Sequence, residues 1–143
     1  MPPTLEDVDL SNRLLQAVAG HRLLAFRMGG GVRLEFDDDA FHEFTIEGSL
    51  RVVLADGSDR HGDPISLDVA EQLIRLLNTP ATAAVVDPRG ALKVAFEDAY
   101  VVVPYDQMYE AWQVRSDEGL LIVSMPGGDL AIWPPGSDGQ DDS

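Results

Sequence analysis

The chain has 143 residues and no cysteine, with 45% apolar residues and 25 acids against ten bases, giving a net charge of −15. This length suits one domain with a real core. The lack of cysteine excludes disulfide scaffolds, thiolate zinc sites, iron–sulfur centres and cysteine nucleophiles. Scattered single bases argue against contact with nucleic-acid phosphates or anionic lipid, and no apolar run reaches the roughly 20 residues that span a bilayer.

The first nine residues, "MPPTLEDVD", read as a loose terminus without a positively charged leader, hence a cytoplasmic protein. "LSNRLLQAVAG" suggests a short N-terminal helix capped by Ser11, with Leu14, Leu15 and Val18 on one side and Gly20 ending it. The period then changes to two. Leu24, Phe26 and Met28 share one parity, Gly29–Gly31 supply a turn, and Val32, Leu34 and Phe36 alternate against Arg33, Glu35 and Asp37. Phe44 with Ile46, then Leu50, Val52 and Leu54 before an Asp56-Gly57 turn, complete a predicted four-stranded antiparallel meander.

In "DPISLDVAEQLIRLLNTP" the spacing predicts a central helix over about 64–77. Asp63 or Ser66 can cap it, and Ala70, Leu73, Ile74 and Leu77 form the apolar stripe. Strand patterns resume in "TAAVVD", "ALKVAFED" and "YVVVPY". "GVRLEFDD" aligns with "ALKVAFED" at an offset of sixty, which suggests duplicated hairpin units at 21–46 and 82–103 sharing one core. "YEAWQV", "GLLIVSMP" and "DLAIW" carry the last strands, and residues 134–143 read as a disordered acidic tail. The expected fold is therefore α+β, a single domain over 10–133 of mainly antiparallel short strands and hairpins, and a strongly curved or barrel-like sheet fits the pattern.

Motifs for chemistry are sparse. "SMPGGDLAIW" lacks the lysine and following helix of a phosphate cradle, so Gly127 and Gly128 are expected to turn a hairpin with arms at about 120–125 and 129–133. Leu130 and Ile132 should then face the core with Leu121 and Val123, and Trp133 the other way. His21, His42 and His61 lack metal-ligand spacing and read as surface or strand-end residues. "LADGSDRHGD" is an acid-rich loop without an EF-hand frame. No metal or cofactor is expected, and nothing points to an enzyme beyond a distant carboxylate-dependent alternative. The densest aromatic segment, "YDQMYEAW", makes Tyr105, Tyr109, Glu110 and Trp112, together with Trp133, the candidate interface; Trp112 alternatively fills the core.

The "YEAW" segment, the proline-glycine-glycine turn and the final "LA-x-W" resemble a family of small uncharacterised domains common in actinobacteria, over roughly residues 20–133. The resemblance rests on Tyr109, Glu110, Ala111, Trp112, Pro126, Gly127, Gly128, Leu130 and Trp133, with Met28–Gly31 departing from the more polar hairpin usual there. It implies no catalytic role. Small acidic domains of this kind also look similar to proteins that neutralise toxins by binding them. The expected function is thus a non-catalytic acidic domain, immunity-like or regulatory, that binds a basic protein or a second copy of itself, with a small-ligand or structural domain as the alternative.

Overall fold

A computed structural model describes residues 1–136. The first helix, α1 (Leu5–Leu15), begins earlier than expected from Ser11: Thr4 is its cap and accepts from the Asp7 amide at 3.1 Å, with Glu6 and Asp7 suiting the positive end. Residues 5–9, read as loose, are therefore helical, and Ser11 is a buried mid-helix residue.

Strands β1 (Leu23–Met28), β2 (Val32–Phe36) and β3 (Glu43–Ile46) form a meander. The fourth strand, β4 (Leu50–Val53), leaves it and pairs with β5 (Asp59–Gly62), which lies within the segment expected to be an acid-rich loop. Helix α2 (Leu67–Ile74) is shorter than the predicted 64–77 and has Ser66, not Asp63, at its N-cap. It is followed by a second meander of β6 (Ala81–Val86), β7 (Leu92–Phe96) and β8 (Tyr100–Val103). The chain closes with β9 (Trp112–Arg115), β10 (Leu121–Ser124) and β11 (Leu130–Trp133).

These strands build two antiparallel sheets, ordered β1-β2-β3-β9-β10-β11 and β5-β4-β8-β7-β6. The fold is α+β as expected, but neither sheet closes into a barrel. Each meander is extended by the hairpin that follows the other meander, since β9 joins β3 and β4 joins β8. The exchange buries apolar residues of both halves in one continuous cluster, with Phe36, Phe44, Leu50, Val94, Trp112 and Ile122 at its centre.

The halves repeat one another in detail. Hairpins β1–β2 and β6–β7 have the same register and a bulge at the same step, between Leu23 and Ala25 and between Ala81 and Ala83. The second strands are sixty residues apart, as the alignment had them, whereas Leu23 corresponds to Ala81, because the three-residue Gly29–Gly31 turn is matched by five residues, 87–91. Reciprocal hydrogen bonds join the halves where the two hairpins begin: Gly20 N to Ala81 O (2.7 Å) mirrors Asn78 N to Leu23 O (2.9 Å), and Leu23 N to Thr79 O (3.1 Å) mirrors Ala81 N to His21 O (2.8 Å). Gly20 and Asn78, matching positions, both have positive φ.

Local faces differ from the sequence pattern at three places. The β1 bulge lets Leu23 and Phe26 share the core side, leaving Leu24 exposed. In α2 the inner face is Val69, Gln72 and Leu73, continued by Leu76 just beyond the helix, so the predicted stripe is rotated and Ile74 points outward. In the last hairpin Ile132 pairs with Ile122 and Leu130 with Ser124, so Leu130 and Ile132 share a face with these residues rather than with Leu121 and Val123. The five residues between the arms fix that register, and a shift of one would exchange the faces.

Candidate functional site

The question raised by the glycine pair is settled by what surrounds it. Gly127 and Gly128 do turn the β10–β11 hairpin, with φ of 88° and 101°. Gly128 also abuts the neighbouring turn of β6–β7. A Cβ on Gly90 would strike Gly128 O, and one on Gly128 would lie 2.5 Å from Arg89 O. Backbone of the other turn fills the space beside Gly128, so that glycine is a turn-against-turn contact, whereas Gly127 faces the Met1 backbone.

Trp112 completes that junction. It is buried, and its indole N–H donates to Gly90 O at 3.1 Å. Of the five candidate interface residues, Trp112 is thereby reassigned to the core, as an aromatic whose one donor has found a partner. Tyr105 is half-buried, its ring against Gly128, and its hydroxyl accepts from Gln107 Nε2 at 3.3 Å. Met1, Pro2, Arg89, Tyr105, Gln107 and Gly127 line a cleft of about 400 Å³.

Tyr109 and Glu110 are exposed at the tip of the loop between β8 and β9. Asp106 sets the loop: its carboxylate accepts from the Met108 amide at 2.8 Å, and its carbonyl accepts from Gly127 N at 2.8 Å. Asp106 also accepts from the Tyr109 phenol and adds its own charge, which holds that phenol above its usual range; Asp63, ahead of α2, adds to the effect. Trp133, half exposed, lies at the other end of the last hairpin, opposite Leu121, so it does not join Tyr109 and Glu110.

Sequence reasoning missed the exposed apolar residues of this loop and of the α2 segment. Met108 is 83% exposed, Leu67 79% and Ile65 71%, and Ile74 is exposed as well. The signal was present: "ISLDVAEQLIRLL" holds more large apolar residues than one stripe can bury. The loop itself is surplus to the repeated architecture. Residues 104–111 join β8 to β9, where the matching connection from β3 to β4 needs only 47–49.

Two other places carry polar chemistry. In the loop after β2, the buried pair Asp38 and His42 meet at 2.6 Å, with Asp38 also accepting from the His42 amide at 3.0 Å. His42 is therefore an interior residue immediately before β3, in keeping with the strand-end position and not the surface position of the two expected. His21 lies 3.6 Å from Asp37. A second cleft, about 280 Å³, brings Glu35 and Glu43 together with Arg115 and Phe41 on the outer side of the six-stranded sheet, and Arg27 donates to Glu35 at 2.7 Å. Among the described residues no three His, Cys, Asp or Glu side chains converge as metal ligands, and no helix is long and apolar enough to cross a membrane.

Comparison with known proteins adds the following. The ribosome maturation factor RimM of Corynebacterium jeikeium (strain K411) is 30% identical over 100 residues, which cover 67% of this chain and 52% of that protein. The chain thus spans about half the length of the curated relative it matches. No solved structure gives a significant match. A model of the family of unknown function DUF6188 matches residues 14–134, in keeping with the uncharacterised domain implied by the "YEAW" and proline-glycine-glycine segments, and the chain belongs to that family.

Proposed function

We propose that the chain is a non-catalytic, cytoplasmic docking domain, immunity-like or regulatory, for a basic protein partner. The observation that carries this reading is the 104–111 connection, a loop longer than its counterpart, fastened by Asp106 and the Gly127 amide, that presents Met108 and Tyr109 to solvent. Apolar side chains held outward on a fixed loop are what an interface centre requires. The net charge of −15 selects a basic partner by steering it and by repelling acidic competitors. Several arginines are already engaged within the chain: Arg27 with Glu35, Arg51 with Asp59 and Arg75 with Asp56. The similarity to a ribosome maturation factor makes a basic ribosomal protein one member of this partner class. The cleft beside Tyr105 supports the alternative, a small-ligand domain.

The test is reconstitution. A protein captured by the immobilised chain is identified, purified and titrated against wild-type protein and Tyr109→Ser. The reading expects a dissociation constant that rises with salt and rises about tenfold, roughly 1.4 kcal/mol, in the variant. Affinity indifferent to both salt and Tyr109 would overturn it.

A further inference from the structure

We infer that the outward stripe of α2 and the tip of the 104–111 connection form one docking surface for a cationic amphipathic segment of a partner protein; this rests on the protein-docking reading above and gives the partner's contact segment its chemistry. Leu67 and Ile74 are seven residues apart, two helical turns, with Ala70 between them, so they line one side of α2 over about 10 Å. Ile65 extends the stripe at its beginning. Gly62 at the end of β5 pairs with Leu50, and Val102 near the end of β8 pairs with the adjacent Arg51, so the segment leading into α2 and the 104–111 connection leave the same end of the five-stranded sheet. Met108 is the most exposed apolar residue of that tip.

The rim decides the occupant. Asp63, Asp68, Glu71 and Glu110 are exposed on the same two segments as these apolar groups, and Asp106 is partly exposed among them. The base at the far end of α2, Arg75, donates to Asp56 at 2.9 Å and is partly neutralised there. A second copy of this chain would bring acidic rim against acidic rim. An anionic bilayer or a nucleic acid would meet the same repulsion. A segment with an apolar side and lysines or arginines flanking it satisfies both parts: the apolar side covers Leu67, Ile74 and Met108, and its bases meet the rim. Two turns of helix match the length of the stripe.

The probe is a synthetic 14-residue peptide of leucine and lysine in helical spacing, fluorescently labelled, with a scrambled peptide of identical composition as control. Both are titrated into the full chain and into Leu67→Ser and Met108→Ser proteins, whose thermal unfolding checks that these exposed positions leave the fold intact. The inference expects the ordered peptide to bind at least about tenfold more tightly than the scrambled one, to weaken with salt, and to lose about tenfold in each variant. Equal binding of both peptides would mean that charge alone attracts them, and would overturn it. So would unchanged affinity in both variants, concentration-dependent self-association that buries Met108, or preferential partitioning onto zwitterionic phosphatidylcholine vesicles. If a reconstituted protein partner depends on Tyr109 while the ordered peptide does not bind, protein docking stands and this inference falls; if neither depends on the surface, both fall.

Discussion

Gly128 and Gly90 meet backbone to backbone across the junction that also holds the Trp112 indole. A side chain on Gly128 must both adopt a positive φ and displace Arg89 O, whereas one on Gly127 would lie 2.7 Å from the N-terminal nitrogen of Met1, a chain end with room to move. Gly128→Val is therefore expected to cost about 2 kcal/mol or more, and Gly127→Val less. Urea unfolding of the two variants measures the difference, and wild-type stability in Gly128→Val would contradict the junction. The turn itself was legible in the sequence from two glycines between apolar runs. Its packing against Arg89 and Gly90 was not, because residues distant along the chain meet only after two sheets have formed. Gln72 offers the opposite sign. It is buried on the inner side of α2, and its amide nitrogen has no hydrogen-bond partner among the described residues. Gln72→Leu should raise stability by about 1 kcal/mol, read as a higher urea midpoint with unchanged slope. Tyr109 provides a pH-dependent signature. Its raised phenol pKa favours the protonated form in the folded chain, so this contribution is present below about pH 10, the unfolded phenol value, and is lost as pH climbs through the raised value. Spectrophotometric titration should show the Tyr109 phenol ionising earlier in Asp106→Ala than in wild type; identical titration of the two proteins would rule out the Asp106 contact.

At the scale of elements, strand alternation was the strongest signal. Val32, Leu34 and Phe36 and their matches Leu92, Val94 and Phe96 are all buried as their period of two implied. Where reading failed, tertiary packing had overridden local pattern. Strand β5, "DRHG", has no apolar residue to alternate and exists because β4 pairs with it beneath α2. The bulge in β1 shifts parity midway, which a periodic template cannot register. The outward stripe of α2 was hidden by an excess of apolar residues that allowed more than one face to be chosen. Edge protection was equally invisible. The Asn12 side chain both donates to Val86 O (3.2 Å) and accepts from Val86 N (2.7 Å), so α1 seals the edge of β6 as a neighbouring strand would. Asn12→Ala should destabilise by about 1–2 kcal/mol and speed hydrogen exchange at the Val86 amide specifically. Exchange at Val86 as slow as in wild type would show that the edge is closed by other means.

Across the whole molecule, two similar halves exchange hairpins around a single core, and they differ mainly in their connections. The repeated parts explain stability; the longer connection of 104–111, the extra strand β11 and the outward side of α2 are not demanded by the repeat. Composition made the charge and the scarcity of catalytic motifs plain from the start, while the place where apolar groups and acids meet required coordinates. Hydrogen exchange of the free chain and of the chain bound to its reconstituted protein partner tests the central claim most directly. Docking through the acidic-rimmed surface predicts new protection concentrated at residues 63–75 and 104–110, fading as salt is raised. Protection confined to the outer sides of the two sheets, with those segments exchanging as in the free chain, would contradict it.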